Sequence, residues 1–68
     1  MNMQDVRDAV DYALDSLDGE PVYIDDSTIV VGIDSDSGRY WLADNGDETT
    51  GLDYDGVLNY CIKALADE

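Results

Sequence analysis

The stretch Thr28-Ile29-Val30-Val31-Gly32-Ile33 decides the fold, because it contains the longest run of β-branched residues in the chain. This composition predicts a β-strand, and strand alternation places its three odd-numbered residues on one face. Polar, turn-forming segments precede and follow it, at residues 25–27 and 34–38. Because these links are short, we expect the neighbouring strands to run antiparallel, since a parallel strand requires a much longer crossover.

Two further strands are predicted beside this stretch. Residues 21–24 are expected to form a short edge strand, because Pro21 cannot donate a hydrogen bond to a central ladder. Residues 39–43 are expected to form the strand that follows the 34–38 turn. Residues 44–51 are polar or glycine throughout and are expected to form a loop.

An amphipathic helix is predicted over residues 3–18, because its apolar residues recur three and four positions apart. Asn2 is the expected N-cap, and Gly19 followed by Pro21 is expected to end the helix. The opposite face of this helix carries aspartates at the same spacing. The apolar stripe comprises Met3, Val6, Val10, Ala13, Leu14 and Leu17, and the acidic row comprises Asp5, Asp8, Asp11, Asp15 and Asp18.

A second helix is predicted over residues 54–66, with Asp53 as its N-cap. The order of elements is therefore helix, three strands, helix (αβββα), in a single acidic domain over residues 1–68. We expect a two-layer α+β domain in which both helices cover one face of a three-stranded antiparallel meander. Val30 and Trp41 lie on the other face, which is left to solvent or to an interface. The residues expected to meet the helices are Ile29, Val31, Ile33, Tyr40 and Leu42.

Charge is the dominant feature of the composition. Seventeen acidic residues and three basic residues give a formal net charge of −14. Such a charge disfavours binding to nucleic acid or to anionic membranes, and it favours basic proteins, cations or a high-salt environment. No segment resembles a signal peptide or a transmembrane helix, so we expect a cytoplasmic protein.

The acidic row of the first helix can substitute for a strand of phosphates. Its members are separated by roughly 4.5–6 Å along the helix axis. This spacing is of the same scale as the rise of about 3.4 Å between successive phosphates along a DNA strand. An ordinary solvated helix face mixes charges of both signs, but this helix carries only Arg7. Acidic residues in the predicted turns and loop could supply a second row. These are Asp25, Asp26, Asp34, Asp36, Asp44, Asp47 and Glu48.

No catalytic, metal or cofactor site is expected. The chain has no histidine, and its single cysteine, Cys61, lies in an apolar helical stripe without an evident base partner. Residues 34–38 begin like a calcium loop, but the sixth and twelfth positions of that loop hold Arg39 and Asn45 instead of glycine and glutamate. A calcium loop that starts at Asp44 would hold Thr49 and Asp55 at these two positions, which does not match either. A hairpin turn is the expected structure.

One short motif is similar to a known modification site. Residues 15–18, Asp-Ser-Leu-Asp, resemble the Asp-Ser-Leu motif of acyl carrier proteins, in which the serine carries phosphopantetheine. That family places the motif at the start of the second helix of an all-helical bundle. Here the motif lies at the end of the first helix, and strands are predicted in the middle of the chain. We therefore do not expect a phosphopantetheine site.

The acidic helix, the acidic turns and the acidic 44–48 segment together resemble the small acidic inhibitors that bacteriophages and other mobile elements encode. Anti-CRISPR proteins and anti-restriction DNA mimics are the main examples. The resemblance implies an inhibitor, monomeric or homodimeric, that occupies the DNA-binding site of a basic partner such as a Cas effector or a restriction enzyme. Two alternatives stay open: a small protein adapted to molar salt, and an oligomeric structural or regulatory module.

Overall fold

The computed structural model describes residues 2–25 and 27–66, and they form a four-stranded antiparallel sheet with two helices. The strands follow the order β1-β2-β3-β4 across the sheet, as in a meander. The α+β class is confirmed, but the sheet has one strand more than the sequence predicted. The elements are α1 (Met3–Asp15), β1 (Val22–Tyr23), β2 (Ile29–Ile33), β3 (Tyr40–Asp44), β4 (Asp47–Leu52) and α2 (Tyr54–Leu65).

The predicted loop over residues 44–51 was wrong, because most of it forms β4. Asn45 and Gly46 join β3 to β4 with positive φ angles of 54° and 92°. Two consecutive residues with positive φ make the tight turn that matches the twist of a β-hairpin, and Asn-Gly is its preferred sequence. β4 is an edge strand, and only Leu52 among its residues is half-buried. It therefore has no alternation of apolar residues from which a strand could be predicted.

The first helix was predicted to reach residue 18, but α1 ends at Asp15. The Ser16 hydroxyl donates a hydrogen bond to the Tyr12 carbonyl oxygen at 2.8 Å, and the Ser16 N–H donates to the same oxygen at 3.0 Å. The Ser16 N–H is also shared with the Ala13 carbonyl oxygen at 3.1 Å, and the Leu17 N–H donates to the Leu14 carbonyl oxygen at 3.4 Å. The last turn therefore tightens from i→i−4 to i→i−3 hydrogen bonds, and the helix ends three residues earlier than predicted. Asp18 lies outside the helix as a result.

One core lies between the sheet and the two helices. Val22, Val31 and Leu42 are paired across β1, β2 and β3, so their side chains share one sheet face. α1 packs on β1 and β2, whereas α2 packs on β3 and β4. Both helices therefore cover the same face, as predicted. The buried side chains are Val6, Val10, Ala13, Ile24, Ile29, Val31, Leu42, Val57, Leu58 and Cys61.

Ile33 was expected in this core, but its side chain is 45% exposed. It lies at the last position of β2, where the acidic 34–38 turn begins. Met3, at the start of α1, is likewise 63% exposed. Both residues have the correct periodicity but lie at the ends of their elements, where the opposing layer no longer covers them.

The helices run antiparallel beside each other. Met3 and Arg7 line a surface depression together with Leu58 and Ile62 from the middle and the second half of α2. At the other end of α1, Asp11 accepts a hydrogen bond from the Tyr54 hydroxyl at the start of α2. Within the described residues, neither helix is long and apolar enough to cross a membrane.

Candidate partner-binding surface

The aspartates of α1 lie on the side of the helix that faces away from the core. Asp5, Asp8, Asp11 and Asp15 are all exposed, whereas the buried residues of α1 are Val6, Val10 and Ala13. We call these four aspartates the acidic face. At about 100° per residue they span roughly 120° of the helix circumference, opposite to the buried stripe. Packing of the buried stripe on the sheet holds their backbone in one orientation.

Two members of the acidic face have side-chain hydrogen bonds. The Gln4 side-chain amide donates to Asp8 at 3.0 Å. The Tyr54 hydroxyl donates to Asp11, and this hydrogen bond to a carboxylate raises the pKa of Tyr54 above its ordinary value. Both donors are neutral, so the negative charges of Asp8 and Asp11 are not compensated by them. Asp11 also fixes α1 against α2, which gives it a structural role.

Tyr12 lies within the acidic face, and sequence reasoning did not identify it as part of the site. Its side chain is 77% exposed, the largest exposure among the large hydrophobic residues of the described chain. It lies four residues after Asp8 and three before Asp15, so both carboxylates are its neighbours on the helix surface. A helical wheel would have placed it there, because its angle falls between those of Asp5 and Asp8.

The remaining acidic residues predicted for the site are distributed over the connections and the strands of the β3–β4 hairpin. Asp18 is exposed beyond the end of α1, and Asp25 is exposed in the β1–β2 connection with a positive φ of 52°. Asp26 lies outside the described residues. Asp18 and Asp25 both lie outside α1, so neither continues the helical spacing of the acidic face.

Asp34 and Asp36 are exposed in the β2–β3 turn, where Asp34 shapes the backbone. Its carboxylate accepts a hydrogen bond from the Asp36 N–H at 3.0 Å, and its carbonyl oxygen accepts one from the Gly38 N–H at 2.7 Å. The Asp34 N–H donates to the Arg39 carbonyl oxygen, also at 2.7 Å. These contacts are those of a hairpin turn, as predicted for this segment.

Asp44 differs from the other acidic residues because it is half-buried at the end of β3. Its carboxylate accepts hydrogen bonds from the Thr28 hydroxyl at 2.7 Å and from the Tyr60 hydroxyl at 3.5 Å. Burial and the nearby Asp44 charge raise the pKa of Tyr60. Asp44 therefore fastens β3 to α2 and to the start of β2, whereas Asp47 and Glu48 at the start of β4 are exposed.

Cys61 is fully buried on the core side of α2, and burial together with the Asp44 charge raises the pKa of its thiol from 9.0 to about 11. The thiol is therefore neutral near pH 7 and is not a nucleophile. Within residues 2–25 and 27–66, no group of three or more Cys, Asp and Glu side chains is arranged to hold a metal ion.

Comparison of the chain with protein-family models, with curated proteins and with solved structures finds no match.

Proposed function

We propose that this protein is an inhibitor that binds the DNA-binding surface of a basic protein, and that its carboxylates take the place of DNA phosphates. Within that class, we propose an anti-CRISPR protein that blocks target DNA binding by a Cas effector in the cytoplasm of the host cell. Binding, and not catalysis, is the proposed activity. The observation that carries the proposal is the acidic face of α1: four exposed aspartates on one side of a well-packed helix.

The three cations of the chain lie outside the acidic face, but Arg7 is next to one edge of it, near the Tyr54 hydroxyl that donates to Asp11. Arg7 lies on the flank of α1 that faces α2, where it lines a depression with Leu58 and Ile62. Arg39 ends the β2–β3 turn, and Lys63 lies in the last turn of α2. A Lys- or Arg-lined channel can therefore approach Asp5, Asp8 and Asp15 without meeting a like charge.

The dimensions of the domain suit this role. Its longest extent is 35 Å, and one turn of B-DNA measures about 34–36 Å. The acidic face is roughly 15 Å long, at 1.5 Å per residue between Asp5 and Asp15. A DNA-binding channel that holds one helical turn would thus have room for the whole domain.

The exposed Tyr12 adds a contact that phosphates lack. A tyrosine ring next to carboxylates can stack on an arginine guanidinium while the carboxylates pair with its N–H groups. Tyrosine is also enriched at the residues that contribute most to protein–protein binding. This supports a partner whose site is rich in arginine.

The experiment that tests the proposal is a pull-down of purified DNA-binding assemblies, including Cas effectors and restriction enzymes, with the tagged protein. We expect one assembly to be retained, to be displaced by duplex DNA and to be lost as salt is raised, because its charge pairs are screened. Retention that DNA does not affect would contradict phosphate mimicry. If nothing is retained at low salt, adaptation to high salt becomes the better explanation of the acidity.

Circular dichroism separates these two explanations directly. We expect the helices to be formed in dilute buffer, because an inhibitor must fold at the ionic strength of its host. A fold that appears only in multi-molar potassium chloride would instead indicate a protein adapted to molar salt, in which salt screens the self-repulsion of the 17 acidic residues.

A further inference from the structure

The second face of the sheet is covered by neither helix and carries a groove. The α1–β1 connection contributes Gly19, Glu20 and Pro21 to one wall. Gly32, Ile33 and Trp41 form the rest. We call this the outer groove. Its volume is about 190 Å³, equivalent to roughly six water molecules at about 30 Å³ each, which suits one long side chain.

The indole of Trp41 lies directly against Gly32. These two residues are paired across β2 and β3 on the outer face. A Cβ atom at position 32 would lie 2.4 Å from the Trp41 ring, so only glycine allows the ring to lie this close to the strand. The ring is consequently half-buried and positioned, and it presents its remaining surface to the groove.

The chemistry of the groove selects a cationic side chain. An indole is the best aromatic partner for a cation, and the only ionisable side chain among the lining residues is the carboxylate of Glu20. Pro21 and the indole itself provide apolar surface for the methylene groups of a long side chain. A planar guanidinium can stack on the indole and pair with the carboxylate at once, which the compact ammonium of lysine does less well.

We propose that the outer groove binds an arginine side chain of a basic protein partner. The net charge of −14 draws such a partner to the domain, and the groove supplies the local contacts. The proposal rests on the proposed function in one respect only, namely that the partner is basic. The acidic face lies on the solvent side of the helix layer, whereas the groove lies beyond the sheet, so the two surfaces can be tested separately.

The test is an NMR titration of the intact protein with a short oligo-arginine peptide, and with oligo-lysine and oligo-citrulline peptides of the same length. Trp41 is the only tryptophan in the chain, so its indole N–H resonance reports the groove without ambiguity. We expect oligo-arginine to shift this resonance and the amides of Gly19 and Gly32, oligo-lysine to shift them less, and neutral oligo-citrulline to leave them unchanged.

Two variants and one control sharpen the titration. Glu20→Gln removes the exposed carboxylate, and Trp41→Leu removes the aromatic face. We expect each to weaken oligo-arginine binding at the groove about two- to fivefold, measured for both variants from the Gly19 and Gly32 amides because Trp41→Leu has no indole N–H. Tyr23→Leu removes another exposed aromatic residue that does not line the groove, and we expect it to leave the groove affinity unchanged. Because Glu20→Gln leaves Trp41 and Gly32 unchanged, a loss of binding in this variant cannot come from altered packing of the indole.

The outcomes distinguish this proposal from the proposed function. Arginine-induced shifts confined to α1 would overturn the outer groove while leaving the acidic face as a binding surface. Shifts at the groove that Glu20→Gln and Trp41→Leu leave unaltered would overturn the arginine site as well. If neither surface responds to oligo-arginine at low salt, both proposals fail.

Discussion

α1 and α2 begin in the same way and bury similar side chains. The Asn2 side chain accepts a hydrogen bond from the Asp5 N–H at 2.8 Å, and the Asp53 side chain accepts one from the Gly56 N–H at 2.7 Å. Each helix also places three side chains in the same core. Toward solvent the helices differ: α1 presents its acidic face, whereas the outer side of α2 carries residues of both signs, such as Asp55 and Lys63.

The difference extends to the ends of the helices. α2 has Asp55 in its first turn and Lys63 in its last turn, as the helix dipole favours. α1 has no basic residue in its last turn and ends instead on Asp15, where a negative charge is unfavourable. Helix stability thus explains Asp55 and Lys63 of α2 and Asp5 in the first turn of α1, but it does not explain Asp15 at the end of α1. This contrast favours a binding role for the acidic face.

The largest expected effect tests whether the inner faces of the helices are equivalent. Val10 and Val57 are both fully buried, one in each helix. We expect Val10→Ala and Val57→Ala each to lower the free energy of unfolding by about 2 kcal/mol, from two lost carbons and the cavity they leave. Urea unfolding followed by Trp41 fluorescence measures both. A loss in only one variant would show that the helices do not share the core equally.

Alkaline pH is expected to destabilise the fold through α2, because α2 contains the buried Cys61. The folded-state pKa of its thiol is about 11, raised from 9.0. The contribution of the protonated Cys61 thiol to the free energy of unfolding is therefore fully present below pH 9 and is lost as the pH rises toward 11. We expect Cys61→Ala to reduce that loss in urea unfolding experiments at pH 8 and pH 10.5. An unchanged pH dependence would show that the thiol is not protected.

The two caps should contribute equally. We expect Asn2→Ala and Asp53→Ala each to cost about 1 kcal/mol, because each leaves a helix N–H without its acceptor. Asp53→Asn is the matched control, since asparagine caps a helix as well as aspartate does. Far-ultraviolet circular dichroism during urea unfolding measures the three variants. Equal stability of Asp53→Ala and Asp53→Asn would contradict the capping role.

The smallest expected effect tests the ends of the helices. We expect Asp15→Lys to raise the free energy of unfolding by about 0.3–1 kcal/mol and Lys63→Asp to lower it by a similar amount, because each reverses the sign of its interaction with the helix dipole. Thermal unfolding at low ionic strength measures both. A destabilising Asp15→Lys would mean that Asp15 stabilises α1 in a way that the contacts of the helix do not explain.

The sequence predicted those elements of the fold in which apolar residues recur at helical or strand spacing. The stripes of both helices and the alternation in β2 led to the correct layers, and the Asn2 and Asp53 caps were predicted from residue type alone. β4 was missed because an exposed edge strand has no apolar alternation. The Asn45-Gly46 dipeptide was the available signal, since it is the preferred sequence of a two-residue hairpin turn.

Sequence periodicity identified only part of the candidate site. Periodicity correctly placed Asp5, Asp8, Asp11 and Asp15 on one exposed face. It could not separate Asp44, which is half-buried and bound by Thr28 and Tyr60, from the exposed acids near it. Nor could it find the outer groove, because that depends on the pairing of Gly32 with Trp41 across two strands.

The most direct test compares charge removal on the two helices in binding to the assembly that the pull-down retains. Asp8→Asn with Asp15→Asn and Asp53→Asn with Asp55→Asn remove the same charge from α1 and from α2, and asparagine can keep the Gln4 and capping hydrogen bonds. We predict that the α1 pair weakens binding at least about tenfold, whereas the α2 pair changes it about twofold or less. Equal losses for the two pairs would contradict a specific role for the acidic face and would leave only the overall charge.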